Sequence, residues 1–296
     1  MKDDKTCHMK LEKKCMDYFI DMVKDKFICI KAFDGCLADM ILKPITNQSD
    51  EWIGIQVKST AYSQMGYGFH LDKKNYENML ILCICDLDSR MWLIPHEDVK
   101  HLQKLTIGRD KSKYNKYEIT KDNWCTKVKD YFNYLPKFPF ETLDTPQGIY
   151  TQREKAYRLK REQNAPFIKF DYPYLEGQVY DFMCNGLKIQ EKVGGKGKGR
   201  NGYRFSLWKS NGYVEDKVTF TSYKIGDNDM YWLHCEDAPY FYVIPENALV
   251  ENKKINRETK QMLYILPERK EMWYSPYRFD YDNLDKEKLE KMFHKR

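Results

Sequence analysis

The sequence predicts an α+β (α/β-like) protein with two domains in tandem, each a mixed central sheet flanked by helices. Three observations support this prediction. The chain has 296 residues, which is enough for two domains of ordinary size. Strand-length apolar runs alternate with segments whose apolar residues recur at helical spacing. Short motifs of the first half recur in the same order in the second half. We expect residues 1–138 to form the first domain and residues 139–296 the second.

The first half is predicted to open with a helix and to continue mainly as strands. Apolar residues at helical spacing predict an amphipathic helix over residues 9–23. Pro95 begins a short helix, and residues 121–135 form a further helix with Thr120 as its cap. Strands bounded by turn-forming residues are predicted at 27–41, with a break at Asp34-Gly35, and at 52–59, 79–85 and 91–94.

The second half is predicted to hold strands between two helices. Three prolines interrupt residues 136–147, so this segment is the expected linker between the domains. A helix follows over residues 147–161, and the last helix covers residues 284–294. The intervening strands are predicted at 178–184, 187–193, 203–208, 218–223, 230–234 and 241–244.

Three motifs relate the two halves. Residues 55–58 recur as 189–192, residues 66–71 as 202–207, and residues 92–95 as 242–245. The offsets are 134, 136 and 150 residues. They increase along the chain, as expected if the second copy contains insertions. Any one match can arise by chance, but three matches in one order predict a tandem duplication.

Composition excludes several classes of protein. Aromatic residues make up 15% of the chain, whereas disordered chains are poor in them. The longest apolar run, residues 79–85, is far shorter than a membrane helix needs, and the first residues lead into no apolar signal core. Nine cysteines without a C-x-x-C pair favour reduced, buried thiols over a zinc site. We therefore expect an intracellular protein of the cytoplasm or nucleus, not secreted and without a membrane partner.

Basic residues are clustered although the net charge is small. A net charge of +6 is weak support for a nucleic-acid partner. Residues 192–214 carry six basic residues and no acidic one, and residues 104–117 and 153–161 carry five basic residues each. Interleaved tyrosines and tryptophans shift the interpretation toward phosphate binding. The candidates for such contacts are Lys111, Lys113, Lys196, Lys198, Arg200 and Arg204.

A carboxylate, an amide and a lysine are expected to converge in the first half. Asp39 ends an apolar segment, and seventeen residues later the next strand carries Gln56 and Lys58. Residues two apart on a strand face the same way, so Gln56 and Lys58 project together. If the two strands pair, Asp39 joins them. Carboxylate and amide oxygens suit Mg²⁺, and a lysine can orient water or stabilise a phosphoryl charge.

This arrangement resembles the PD-(D/E)XK nuclease superfamily, in the variant whose third signature position is glutamine. The resemblance covers roughly residues 9–100 and implies a restriction-endonuclease-like fold and Mg²⁺-dependent DNA cleavage, with Mn²⁺ as an alternative ion. It implies that Asp39, Gln56 and the main-chain carbonyl of Val57 are metal ligands and that Lys58 is the catalytic lysine. The remaining implied residues are the acidic Glu12 on the first helix and Ser59 and Thr60, which fit the family's usual strand end beside DNA.

The glutamine is a departure from the commoner Asp or Glu of that family. It removes one negative charge, which weakens metal binding unless a further carboxylate such as Glu12 or Asp34 takes part. An exposed strand face without a site remains the alternative for Gln56 and Lys58. A lone carboxylate in the apolar setting of Asp39 needs a partner.

The second half carries the same pattern with a shorter spacing. Gln190 and Lys192 stand where Gln56 and Lys58 do, and Glu191 takes the place of Val57 as a candidate ligand. Asp181 precedes Gln190 by nine residues, and the Asn185-Gly186 turn between them would bring the two together. Glu176 is a further acidic candidate. This second site is either active or retained for binding alone.

The remaining motifs of the sequence do not indicate a different catalytic chemistry. Glycines and basic residues alternate over 193–202, which suits either DNA contact or a solvated loop. This stretch lacks the G-x-x-x-x-G-K-[ST] sequence of a nucleotide-binding loop. Gly148-Ile149-Tyr150 lacks the partner motif of the GIY-YIG nucleases, and the six histidines form no triad pattern.

The sequence therefore predicts a tandem PD-(D/E)XK-like endonuclease acting on double-stranded DNA, of the homing or restriction type. A Holliday-junction resolvase is a rival within the nucleases, and a non-catalytic DNA-binding protein is a rival outside them. The chain is expected to act as a monomer with internal pseudo-symmetry or as a homodimer.

Overall fold

A computed structural model gives the fold of the chain in two compact units, Met1–Gln152 and Arg153–Arg296. The structure describes residues 2–33, 35–60, 66–71, 76–109, 111–173, 179–197, 201–214, 217–256 and 261–294, with the side chains of 2–10, 210–214 and 217–219 left out. Asp34, Glu176, Lys198 and Arg200 therefore lie outside the described residues.

The first unit is built mainly from strands between two longer helices. In chain order its elements are α1 (Lys2–Val23), β1 (Phe27–Lys31), β2 (Met40–Pro44), β3 (Ile53–Thr60), β4 (Tyr67–His70), β5 (Leu80–Cys85), β6 (Met91–Pro95), α2 (His96–Val99), β7 (Lys104–Ile107), β8 (Glu118–Ile119), α3 (Trp124–Tyr134) and α4 (Phe140–Leu143).

The main sheet of the first unit has the strand order β1-β2-β3-β5-β6-β8. β3 and β5 are parallel, with Gln56 opposite Ile81 and Lys58 opposite Cys83, and the other neighbours are antiparallel. β4 and β7 form a separate antiparallel pair. Every residue of β5 is buried, as expected for a strand covered on both faces.

Two apolar layers enclose this sheet. On one face, α1 and α3 pack against the side chains of β3 and β5 that include Val57 and Leu82. On the other face, β4 and β7 cover Ile81 and Cys83. Gln56 and Lys58 belong to this second face, because strand neighbours in register point the same way.

The second unit begins inside a helix and then follows a similar course. Helix α5 (Ile149–Asn164) spans the division between the units. The elements after it are β9 (Phe182–Cys184), β10 (Leu187–Lys196), β11 (Tyr203–Ser206), β12 (Trp208–Val214), β13 (Lys217–Ser222), β14 (Met230–Cys235), β15 (Tyr240–Pro245), α6 (Glu246–Glu251), β16 (Met262–Ile265), β17 (Arg278–Asp280) and α7 (Lys286–Met292).

The neighbour order of the second sheet repeats that of the first. β9, β10, β14, β15 and β17 follow one another as β2, β3, β5, β6 and β8 do. β10 and β14 are parallel, with Ile189 opposite Met230 as Ile55 is opposite Leu80. β11 pairs with β16 as β4 pairs with β7, although here β11 also joins the main sheet through β10. The hairpin β12–β13 has no counterpart in the described part of the first unit.

The predicted α+β class is confirmed, and several details differ. Helix α3 begins at Trp124 with Asn123 at its N-cap position, so the prediction of Thr120 as cap is wrong. Residues 136–147 do not form a free linker: Phe138 and Trp52 exchange main-chain hydrogen bonds of 2.9 Å, and α4 buries Leu143 in the first unit. The short strands β4, β7, β8, β16 and β17 escaped prediction because two to four residues give little periodicity. The longer strand β12 was not predicted either.

The described cysteines are free, and those at 15, 83, 85, 184 and 235 are buried, in agreement with the expectation of buried thiols. Among the described helices, none combines the length and the apolar character needed to cross a bilayer.

Candidate functional site

The aspartate of the first unit lies across the middle of β3. Asp39 immediately precedes β2, and its main-chain N–H donates to the carbonyl of Ile55 at 2.9 Å. Its Oδ2 accepts the main-chain N–H of Val57 at 2.7 Å and the side-chain amide of Gln56. The Asp39 carboxylate is therefore hydrogen-bonded within its apolar surroundings, as it was expected to be. Gln56 is buried, at 8% exposure.

Lys58 follows on the same face of β3. It is half-buried, and its Nζ lies 5.8 Å from the ring centroid of Tyr76. Tyr76 is buried in the loop before β5 and was not predicted as a site residue. Asp39, Gln56 and Lys58 are therefore brought to one region, as strand pairing and periodicity predicted.

The second unit repeats this geometry contact by contact. The main-chain N–H of Asp181 donates to the carbonyl of Ile189 at 2.9 Å. Oδ2 of Asp181 accepts the main-chain N–H of Glu191 at 2.6 Å and the side-chain amide of Gln190. Lys192 Nζ lies 5.9 Å from the ring centroid of Tyr223.

A tight turn accounts for the different spacing in the two units. Asp39 and Gln56 are seventeen residues apart, and Asp181 and Gln190 are nine apart. Asn185 and Gly186 both adopt positive φ, 50° and 76°, which is the type I′ geometry of a two-residue hairpin. The same contact is thereby reached through a shorter connection.

A further carboxylate, Glu154 of helix α5, acts on the second site electrostatically. Protein atoms surround the Asp181 carboxyl although part of the residue remains open to solvent, and this desolvation raises the pKa of Asp181 to about 6. The positive charge of Lys192 opposes that rise, while Glu191 and Glu154 add to it. Burial raises the pKa of Tyr223 as well, with contributions from Asp181 and Glu154. Glu154 was not predicted.

A sequence signal for Glu154 does exist. It lies on the helix that precedes the second sheet, as Glu12 lies on the helix that precedes the first. Glu12 is half-buried on α1. An acidic residue on the helix before each sheet is therefore the pattern that points to Glu154.

The opposite face of β10 carries a buried charged cluster, defined here as Arg161, Glu191, His234 and Tyr281. Arg161 is 0% exposed, and its Nε donates to Glu191 Oε1 at 2.7 Å. His234 Nε2 lies 2.7 Å from the same oxygen, and Nδ1 lies 2.5 Å from the Tyr281 hydroxyl. A carboxylate only accepts, so Nε2 carries the proton and Nδ1 accepts from the tyrosine.

The charged cluster fixes the ionisation of its members. Burial alone would raise the pKa of Glu191, but Arg161 and His234 outweigh it and lower that pKa to about 2. Burial lowers the pKa of His234 against the opposing pull of Glu191. The Glu191 side chain is thus committed to the reverse face, and only its main chain belongs to the candidate site. Val57 fills the equivalent position with an apolar side chain.

The remaining predicted basic and hydroxyl residues that the structure describes lie at strand ends and in a loop. Ser59 and Thr60 end β3 and are half-buried. Lys111 and Lys113 are exposed after β7, with Lys113 Nζ 5.0 Å from the Tyr114 ring centroid. Lys196 and Arg204 are exposed at the paired ends of β10 and β11.

The basic stretch 153–161 is partly neutralised within its own unit. Arg153 pairs with Glu236 at 3.1 Å, Arg158 with Glu162 at 3.5 Å, and Arg161 with Glu191. These pairs weaken its interpretation as a phosphate-binding run.

Packing explains two of the described glycines of the stretch 193–202, Gly194 and Gly202. A Cβ on Gly194, inside β10, would stand 2.6 Å from the ring of Phe205. One on Gly202 would stand 2.9 Å from the carbonyl of Ile265. These two glycines let β10 and the start of β11 approach their neighbours, so a role in backbone contact with DNA is not needed to account for them.

The described side chains contain no group of three or more His, Cys, Asp and Glu suited to a metal ion. Each candidate site instead offers one aspartate and one glutamine amide, to which the second unit adds Glu154.

Comparison with known proteins gives limited similarity. No protein-family model matches the chain, and no characterised protein matches it by sequence. Part of the chain is similar to a bacterial homing endonuclease, I-Ssp6803I, with 16% identity and a TM-score of 0.36 over 44% of this chain and 89% of that chain. Part is similar to MepB, with 14% identity and a TM-score of 0.31 over 46% of this chain and 99% of that chain. Similarity at this level carries no functional argument.

Proposed function

We propose that the chain is a metal-dependent endonuclease of the homing or restriction type, which hydrolyses phosphodiester bonds in double-stranded DNA. The observation that carries the proposal is the recurrence of one contact set in both units. In each unit, one aspartate accepts hydrogen bonds from a glutamine side-chain amide and from the main-chain N–H of the residue after that glutamine. A lysine follows the glutamine by two residues on the same strand. We attribute this recurrence, with the shared strand order, to two copies of one PD-(D/E)XK-like domain.

The residues of the first unit fit a hard divalent ion if the side-chain amide of Gln56 rotates. Asp39, the Gln56 amide oxygen and the Val57 carbonyl would hold Mg²⁺ or Mn²⁺. The amide nitrogen of Gln56 faces Asp39, so the amide must turn before its oxygen can share an ion with the carboxylate. When bound, the ion would polarise a phosphoryl oxygen and lower the pKa of bound water.

The protein's own groups supply orientation and charge. Asp39 is held by the N–H of Val57 at 2.7 Å, so its carboxylate keeps its place when the Gln56 amide turns. The Lys58 ammonium is the positive group on the same face, suited to orienting water or stabilising charge on a phosphoryl group.

The second unit would hold an ion through Asp181, Gln190 and the Glu191 carbonyl, with Glu154 as a second carboxylate. An additional negative ligand strengthens binding of a hard cation. This offsets the charge that the glutamine removes, and we therefore propose that the second site is active, with Lys192 in the role of Lys58.

A non-catalytic DNA-binding protein is the second candidate function. One observation favours it: in each unit the glutamine amide already satisfies the aspartate, so that both sites are closed by hydrogen bonds without an ion. Under this alternative the chain binds DNA but never cuts it.

Nicking of supercoiled plasmid DNA separates the two functions. We expect cleavage that requires Mg²⁺ or Mn²⁺, and loss of at least about 100-fold in rate for the double variant Lys58→Ala, Lys192→Ala, because removal of one charge-stabilising group costs about that much. DNA affinity should change little, since one phosphate contact among several is a small term.

The matched control is Lys100→Ala, which removes an exposed lysine paired with Glu97. It should cut at the normal rate. Binding without cleavage in the unaltered protein would support the DNA-binding alternative, and cleavage by the double lysine variant at the normal rate would refute the site.

A further inference from the structure

We propose that Tyr76 and Tyr223 are positioning residues, which hold the ammonium groups of Lys58 and Lys192 at the candidate sites. This inference rests on the proposed function and deepens it. Lys58 Nζ lies 5.8 Å from the Tyr76 ring centroid, and Lys192 Nζ lies 5.9 Å from the Tyr223 ring centroid. Both distances fall within the range of cation–π attraction.

The two rings are held firmly although their other neighbours differ. Tyr76 is 2% exposed and meets the His96 ring edge-on at 5.8 Å. Tyr223 is 1% exposed and meets the Tyr231 ring edge-on at 5.6 Å. Both rings also share a contact with the lysine of the candidate site in their own unit.

The position of each tyrosine is a property of the fold and not of a sequence motif. Tyr76 precedes β5 and Tyr223 precedes β14, the parallel partners of the strands that carry the lysines. The distances along the chain to those strands differ, because the loops differ in length. The contact is therefore reached in each unit by a different local path.

A fixed ring matters because lysine is a flexible side chain. An exposed lysine distributes its ammonium over many rotamers, which works against a defined position at a reacting phosphate. The ring face attracts the ammonium without supplying a hydrogen-bond acceptor that would compete with the substrate. Burial, together with Asp181 and Glu154, raises the pKa of Tyr223, so this ring is uncharged at neutral pH.

The test uses the full chain with Lys192→Ala, so that the first site alone is measured. Tyr76→Leu removes the ring, and Tyr76→Phe keeps it. We expect Tyr76→Leu to lower kcat roughly 10- to 100-fold with KM within about twofold, as for a misplaced catalytic group. Tyr76→Phe should stay within about threefold of the parent. Tyr76→Met, which fills the space with a flexible side chain, replaces Tyr76→Leu if that variant does not fold.

The second readout does not depend on activity. The ε-methylene NMR signal of Lys58, assigned by its absence in Lys58→Arg, should carry an upfield ring-current shift. That shift should be lost in Tyr76→Leu and kept in Tyr76→Phe. Tyr117→Leu, which removes a buried tyrosine from the same apolar layer, is the control and should leave both kcat and the Lys58 signal unchanged.

Three results would overturn the proposal: an unchanged kcat in Tyr76→Leu, an unchanged Lys58 signal, or the same kcat loss in Tyr117→Leu. If the unaltered protein does not cleave, the nuclease proposal fails and the NMR readout decides alone. A Lys58 shift lost only with the ring then supports the lysine–tyrosine contact, and its persistence in Tyr76→Leu refutes it.

Discussion

At the scale of single residues, the two aspartates each use one carboxylate oxygen to accept two donors. Asp39 accepts from Gln56 and from the N–H of Val57, and Asp181 does the same with Gln190 and Glu191. The glutamine is the member that distinguishes these sites from a pair of carboxylates, because its uncharged amide can donate a hydrogen bond to the aspartate.

Gln56→Glu tests this role of the amide. The change removes a donor to a charged acceptor and sets two carboxylates side by side, so it should cost about 2 kcal/mol of stability in EDTA. Mg²⁺ should restore the melting temperature of the variant more than it raises that of the parent, because an ion between two carboxylates removes their repulsion.

Thermal unfolding with and without Mg²⁺ measures both effects. Gln103→Glu, at an exposed position, is the matched control and should respond weakly to the ion. A Gln56→Glu variant whose stability is insensitive to Mg²⁺ would argue against a metal site at Asp39.

Residue patterns in the sequence were enough to predict the glutamine and lysine of the first site, but not its tyrosine or the buried arginine of the second unit. Strand periodicity was enough to group Gln56 with Lys58, since alternation of side chains is a local rule. Tyr76 could not be found in this way, because its contact with Lys58 depends on how a loop folds over the sheet. Burial of Arg161 was equally hidden, because a basic residue in a basic helical stretch is normally exposed.

At the scale of secondary-structure elements, the charged cluster joins α5 to β10. Arg161 lies on the helix and Glu191 on the strand, and the main-chain N–H of Glu191 reaches Asp181 on the other side. Glu154 lies seven residues before Arg161 on the same helix, so the two occupy one face. The cluster therefore fixes the helix that carries Glu154, whose charge contributes to the raised pKa of Asp181.

Removal of one member should destabilise the second unit strongly. Arg161→Met leaves Glu191 buried without its guanidinium partner, which costs of the order of 3–5 kcal/mol. The triple variant Arg161→Met, Glu191→Val, His234→Ile should recover much of that loss, because it makes the layer apolar, as it is around Val57 and Ile84. Urea denaturation measures both. Lys24→Met, which breaks an exposed pair with Asp21, should leave stability unchanged.

The pH dependence of stability follows from the same cluster. The pKa of Glu191 is lowered to about 2 in the folded protein, so its contribution is complete above about pH 4.5 and is lost as the pH falls from there toward 2. The pKa of His234 is lowered from 6.5, so the unfolded chain takes up a proton first and stability declines as the pH falls below 6.5. Both groups therefore make the protein less stable as the pH falls. The triple variant lacks both groups, so its stability should not show these two losses when urea denaturation is compared at pH 7, 5.5 and 4.

The elements themselves were largely predictable where they are long. The buried strands β5 and β14 and the helix α5 follow from apolar runs and helical spacing. Of the pairs β4–β7 and β11–β16 only β11 was predicted, and each of the three missed strands is four residues long. Such strands are specified by their partners more than by their own sequence.

At the scale of the whole molecule, the proposal of one nuclease site in each unit makes a prediction about which DNA strand each site would cut. If each site reaches one scissile phosphate, Lys58→Ala and Lys192→Ala should each convert double-strand cleavage into nicking, and they should nick opposite strands. End-labelled duplex, with each strand labelled in turn, distinguishes the products.

Lys100→Ala again serves as the control, and it should cut both strands. Two inactive single variants would indicate one composite centre, and nicking of the same strand by both would refute a division of labour between the strands. Normal cleavage by Lys192→Ala, with none by Lys58→Ala, would limit activity to the first unit.

The Asn185-Gly186 turn also has a consequence for how the two sites assemble during folding. The Asp181–Gln190 contact closes a loop of nine residues and the Asp39–Gln56 contact one of seventeen, a difference in closure entropy of about 0.6 kcal/mol at 25 °C. The second site is the more local structure and can form early, with its hairpin. The longer connection before β3 is exposed over most of residues 45–51. A peptide or label inserted there would leave the contacts of the first site in place. An insertion in the two-residue hairpin turn would instead separate Asp181 from Gln190.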